Sequence, residues 1–197
     1  MSAYAWPTDL QPSGCSLFLE PNVREFISPW TGAYDVVDLM GERWHMTVTL
    51  PVRRRSQAGA IEAYFNRLRG VHTATAWYFS RSAPIGTMRG TPILSAQAAQ
   101  GVQSLSVSGA GAYGTVKAGD MLGLAGQWLQ VAADATASAG GAITILTANR
   151  VRATVSSSTA VVWDKPTATF RLASPRVPVA HLPGYSDSLD VELIETW

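Results

Sequence analysis

The stretch TVKAGDMLGLAGQWLQV, residues 115–131, sets Gly119, Gly123 and Gly126 beside Lys117 and Asp120. Glycines with a cation and an acid are the ingredients of a phosphate-cradling loop. Such a loop needs a strand, a glycine turn, and then a helix whose free N–H groups face the anion. After Gly119 the chain alternates like strands and shows no helical period, and Lys117 precedes the glycines rather than following them. The spacing also departs from the dinucleotide fingerprint. Tight turns between short strands fit better, with glycine where a positive φ is needed.

Other chemistries find equally little. His45, His72 and His181 are far apart, and none has a second histidine one turn away, so they suit local hydrogen bonding better than metal ligation. Cys15 is the single cysteine, which excludes an internal disulfide and a cysteine-based zinc cluster; it reads as a small hydrophobe at a strand edge. No serine occupies a G-x-S-x-G elbow. Asp187, Asp190 and Glu192 are the remaining candidates for acid–base work. Asp190 and Glu192 share a strand face about 7 Å apart, a spacing found on any half-exposed acidic strand. The residues therefore call for no catalytic group, cofactor or metal.

Two features point to partners instead. Arg53, Arg54 and Arg55 precede a helix, where three cations oppose the macrodipole. A solvated loop, an acidic neighbouring subunit, or nucleic acid lining a channel would each accommodate them. Of the seven tryptophans, Trp44, Trp77 and Trp163 sit in strand contexts and read as core. Trp6, Trp30 and Trp197 lie in irregular or end positions, where large aromatics serve as interface anchors. Trp128 can face the core, a partner, or a sugar on which its ring would stack.

The elements that position these residues are mostly strands. In RWHMTVTL (43–50), Trp44, Met46, Val48 and Leu50 alternate with Arg43, His45, Thr47 and Thr49. SLFLE (16–20), ATAWYF (74–79), TATFRLA (167–173) and LDVEL (189–193) are also strand-like, which predicts a sheet with one wet face. SQAGAIEAYFNRLRG predicts one amphipathic helix at about 56–69, with Ser56 as N-cap and Gly70 closing it. SPRVPVAHLPG (174–184) is too proline-rich for a central strand and predicts an extended arm or long loop.

Residues 91–165 differ in composition. They are rich in Ala, Gly, Ser and Thr, carry few charges, and alternate in short apolar runs between glycine turns. That pattern predicts a small β-barrel or sandwich. Strand-like segments flank it, so the economical organisation is a discontinuous β-sandwich core, 1–90 plus 166–197, with an inserted β domain at 91–165. The whole chain of 197 residues is 15% charged, with a net charge of +1. Such a balance gives no general case for nucleic acid or an acidic membrane as partner. It also fits surfaces covered by other subunits. The N-terminal MSAYAWPTDLQPSG lacks a basic start and an apolar run, so no signal peptide is expected. No window approaches the roughly 18 apolar residues of a spanning helix.

Two stretches together resemble a known family. The run SLFLEPNVREFISPWTGAYDVVDLMGERWHMTVTLPV, the helix AIEAYFNRLRG and the aromatic strand ATAWYF look like the opening of tailed-phage distal-tail and tail-tip (baseplate) structural proteins. TVKAGDMLGLAGQWLQVAADATASAGGAITI resembles the small β domain such proteins carry. The resemblance implies a mainly β, non-enzymatic virion protein with a distal-tail-like sandwich. It implies a homo-oligomeric ring, hexameric or trimeric, contacting tail tube, hub or fibre proteins. Assembly would use Trp30, Trp197 and the segment 174–197 as subunit contacts, with Arg53–Arg55 meeting an acidic neighbour. A carbohydrate-binding module acting in host attachment, with Trp128 as its platform, is the alternative expectation.

Overall fold

The computed structural model describes residues 2–81 and 83–196. The chain is mainly β with one helix. Its first part comprises β1 (Ala3–Ala5), β2 (Gly14–Glu20), β3 (Val23–Ile27), β4 (Tyr34–Asp38), β5 (Arg43–Leu50), β6 (Arg53–Arg54), α1 (Arg55–Leu68) and β7 (Thr73–Trp77). A middle series follows: β8 (Ile93–Leu94), β9 (Ser104–Ser108), β10 (Thr115–Val116), β11 (Met121–Leu124), β12 (Gln127–Gln130), β13 (Ala135–Thr136), β14 (Ile143–Leu146) and β15 (Val161–Val162). The chain ends with β16 (Thr167–Leu172), β17 (His181–Leu182), β18 (Tyr185–Ser186) and β19 (Leu189–Glu195).

Six strands form the main sheet in the order β1-β7-β16-β19-β5-β2. The alternation in β5 determines its buried face: Trp44, Met46, Val48 and Leu50 are buried, while Arg43, His45, Thr47 and Thr49 are half-exposed opposite them. Ala74, Ala76, Ala168, Phe170, Leu172, Val191 and Leu193 extend the same core. Helix α1 contributes Ile61, Phe65 and Leu68 to it, and residues 6–13 contribute Leu10 as they cross from β1 to β2. Burying this many large side chains at about 1.5–3 kcal/mol each is what holds the sheet and helix together.

The helix begins one residue earlier than its sequence pattern suggests. Arg54 is the N-cap, with no side-chain cap bond, and Ser56 lies inside the first turn rather than capping it. At the other end Arg69 adopts the left-handed conformation and its N–H returns to Phe65 O, and Gly70 follows with φ 67°. The proline-rich segment 174–184 stays irregular until β17, which turns through Pro183 and Gly184 into β18 and pairs there with β6. The segment 174–197 is not a free arm throughout. Within it β19 is an interior strand of the main sheet, paired with both β16 and β5, so its edges are spent inside the molecule.

Trp77 of β7 pairs with Thr167 of β16, so the residues between them leave the sheet and re-enter it. Strands β8–β15 form two- and three-stranded sheets, and no sheet among the described residues closes into a barrel. They share a second core that includes Leu94, Leu105, Val107, Leu122, Leu129, Ile145 and Val161. The stretch 115–131 forms hairpin turns. Ala125 and Gly126, both at positive φ, make the two-residue connection between β11 and β12. The cradle of backbone N–H groups that a phosphate would need does exist nearby, but an internal anion fills it. Asp120 is buried, and its carboxylate accepts from Ile85 N (2.7 Å), Gly86 N (2.9 Å) and Lys117 N (2.9 Å). A Cβ at position 86 would stand 2.2 Å from Thr115 O, so this close approach requires glycine.

The two cores are joined at β12. Met121 and Trp128 come from the middle segment yet belong to the main-sheet core. The Trp128 indole N–H donates to Pro166 O at 2.8 Å, and its ring meets Phe170 edge-on at 4.9 Å. Beside it lies the fully buried Glu195, on the same face of β19 as Val191 and Leu193. Its carboxylate accepts from Trp44 N (3.3 Å), from Trp128 N (3.2 Å) and from the Arg152 guanidinium. One carboxylate thus ties β12 and the 150s segment to β19 and β5 of the main sheet.

Candidate functional site

The residues with catalytic or ligating potential are dispersed. No group of three or more His, Cys, Asp or Glu side chains able to hold a metal occurs among the described residues. His45 stacks on Phe18 with its Nε2 2.5 Å from Glu20, His181 Nε2 is 2.6 Å from Glu62, and His72 meets Tyr4 edge-on. Asp190 accepts the Thr49 hydroxyl at 2.6 Å and Asp187 caps Ser188 N at 2.7 Å, while Glu192 is exposed further along β19. None of these three carboxylates lines the cleft at Leu39, Met40 and Arg150 or the one at Trp6 and Trp77. Cys15 is half-buried, and burial pushes its thiol above the usual range.

The tryptophans sort differently from their sequence contexts. Trp128 is not a ligand platform or partner contact: it is fully buried, because the β11–β12 hairpin turns it into the main core. Trp197 lies outside the described residues. Trp30 is 93% exposed and touches none of the hydrophobic cores. Among the arginines, Arg53 is half-buried and donates from Nη2 to Gln11 O at 3.0 Å, while Arg54 is exposed. Arg55 opens the helix, and its side chain lies outside the description.

Trp30 sits at the tip of an arm that the motif reading did not resolve into elements. Strands β3 and β4 pair in the register Val23↔Asp38 to Ile27↔Tyr34 as a separate two-stranded sheet, two residues out of register with the β2–β5 ladder that ends at Glu20↔Arg43. Five residues per strand give about 17 Å of paired length. At the tip Ser28 N donates to Ala33 O (2.8 Å) and Gly32 N to Ser28 O (2.9 Å). At the base Asn22 Nδ2 donates to Met40 O (2.7 Å), and Asp38 meets Arg150 of the middle segment. That guanidinium holds the Asp38 carboxyl below its ordinary range.

Every residue of β3 and β4 is exposed. The alternation places Val23, Ile27, Tyr34 and Val36 on one face and Phe26 and Val37 on the other. Neither face belongs to either core. A two-stranded hairpin is marginal in water by itself, and contiguous exposed apolar surface of this kind marks an interaction site. The arm carries three carboxylates, Glu25, Asp35 and Asp38, against one cation, Arg24. Glu25 accepts the Tyr34 hydroxyl, which raises the tyrosine above its usual range.

Two clefts are lined largely by apolar side chains, one at the base of the arm and one away from it. One of about 600 Å³ lies at its base, lined in part by Leu39, Met40, Leu124, Val151, Arg150 and Arg152. Its arginines are engaged by Asp38 and Glu195. The other, of about 420 Å³, is lined by Trp6, Leu10, Trp77 and Phe79 with Lys165 at its margin. No protein-family model matches the chain, and no curated protein matches it. No helix among the described residues is long and apolar enough to cross a membrane.

Proposed function

We propose that this chain is a structural subunit of a tailed-phage virion. It forms a homo-oligomeric ring at the distal tail or tail tip and connects the tail to fibres or other tip proteins. The observation that carries the assembly role is the β3–β4 arm, which exposes apolar side chains on both faces and joins neither core among the described residues. An element of that kind is stable when a neighbour buries it. The remainder of the chain is suited to hold it rigidly, because Asp38–Arg150 and Asn22 fasten its base. The phage assignment itself comes from the resemblance of residues 16–173 to tail-tip proteins.

Arm removal tests the assembly role. Replacing residues 23–38 by a short turn keeps the Glu20↔Arg43 pair that ends the β2–β5 ladder and the buried Glu42, which accepts from Arg150 N. The full chain is expected to self-associate with rising concentration in sedimentation velocity and to give rings in negative-stain micrographs. The armless chain is expected to fold and remain monomeric. A full chain that stays monomeric at every concentration reached, alone and with tail extract, overturns the proposal.

A further inference from the structure

Given the self-assembling subunit proposed above, we infer that the cleft formed by Trp6, Leu10, Trp77 and Phe79 is the receptor for Trp30 of a second copy of this chain.

The cleft is built by the segment that crosses from β1 to β2. Trp6 donates its indole N–H to Leu10 O at 2.7 Å, closing a tight loop, and Arg53 holds the next carbonyl, Gln11 O, at 3.0 Å. The first of the three consecutive arginines therefore fixes the wall of the cleft. The opposite wall comes from the end of β7, where Trp77 and Phe79 meet at 5.1 Å and Trp6 meets Phe79 at 5.2 Å. These walls are preformed, half-buried and aromatic, and a third indole entering them gains edge and offset contacts beyond its area. The volume, about 420 Å³, lies within the roughly 300–1,000 Å³ of clefts that enclose a small group.

Charge favours the same pairing. Lys165 is the one charged residue among those lining the cleft, with its ammonium 5.6 Å from the Trp77 ring, and Asp9 of the crossing segment does not line it. The arm brings Glu25 and Asp35 beside its apolar residues and has no lysine. Two arm carboxylates thus meet the one lysine of the cleft, which favours this partner. Size agrees as well. Residues 23–40, all exposed except the half-buried Ser28, approach the roughly 20–30 residues a side of a standard interface. A central tryptophan is the usual anchor of such a contact.

Arm and cleft are different surfaces, so the contact is heterologous and repeats from copy to copy until a ring closes. Within one molecule Trp30 stays solvent-exposed and does not line the cleft.

Cysteine pairing tests this directly. Thr31→Cys places a thiol beside Trp30, and Thr8→Cys places one on the cleft wall; both positions are exposed. Mixing the two variants under mild oxidation is expected to give a disulfide-linked dimer that neither gives alone. Trp30→Leu and Lys165→Glu, at exposed positions that leave the fold intact, are each expected to weaken self-association at least tenfold. Self-association that persists unchanged in both variants, with no Thr31–Thr8 cross-link, overturns the cleft assignment while leaving the assembly role standing. A wild-type chain that does not self-associate overturns both.

Discussion

Trp128→Ala separates a structural tryptophan from a binding one. The side chain is fully exposed to neither water nor ligand: its relative exposure is 0%, its ring packs on Phe170 and its N–H is bonded to Pro166 O. Truncating a buried tryptophan costs about 3–5 kcal/mol through lost transfer energy and the residual cavity. Depriving the Pro166 carbonyl of its donor adds about 1 kcal/mol. For a chain of this length, a loss of about 4 kcal/mol lowers the melting temperature by roughly 8–16 °C. Trp128→Phe keeps a ring in place and loses the indole N–H, so it should cost about 1–2 kcal/mol. Urea unfolding followed by far-UV circular dichroism reads both values without relying on tryptophan emission. Surface substitutions fall within about 0.5 kcal/mol. A Trp128→Ala protein of near wild-type stability would therefore sink the claim that this residue joins the two cores.

Two further outcomes follow from the same junction and from the helix. Glu195→Ala removes the carboxylate that Arg152 and the backbone of Trp44 and Trp128 share, and breaking such a buried pair should cost about 3–5 kcal/mol. An Arg152→Met, Glu195→Leu double variant should recover only the part due to the unpaired guanidinium, because the Trp44 and Trp128 N–H groups still lose their acceptor, and a double-mutant cycle by urea unfolding checks the coupling. Tyr64 carries a buried hydroxyl with no partner among the described residues, and burial pushes its pKa from 10.0 to about 12. Because the folded value is the higher one, its contribution is intact below pH 10 and is lost as pH rises toward 12. Tyr64→Phe should therefore flatten the alkaline limb of a stability-versus-pH curve, and should stabilise the protein by about 1 kcal/mol at neutral pH.

Much of the main sheet was legible because its alternation is strict. β5 shows a period of two over its whole length and β19 over Leu189–Leu193, and burial follows that period there. α1 was legible for the matching reason: Ile61, Phe65 and Leu68 recur at helical spacing and all three are buried. The helix start was displaced because Ser56, a good capping residue, sits inside the first turn and Arg54 takes the cap. Glu195 carried a signal that could have been read. It extends Leu189, Val191 and Leu193 by one more step of two, which places a carboxylate on the apolar face.

The composition and periodicity by themselves determined a β-rich chain with one helix, the turn character of 115–131, and the dispersal of its histidines and carboxylates along the sequence. Tertiary structure alone decided which aromatics are free. Trp128 and Trp30 are the same residue type in similarly ambiguous contexts, yet one is sealed in the core and the other is 93% exposed. Local pattern records which face of a strand is apolar. It does not record whether a distant segment arrives to cover that face. For β12 the main sheet arrives, through Phe170 and Pro166. For the β3–β4 arm no segment among the described residues does, and none of its side chains belongs to either core.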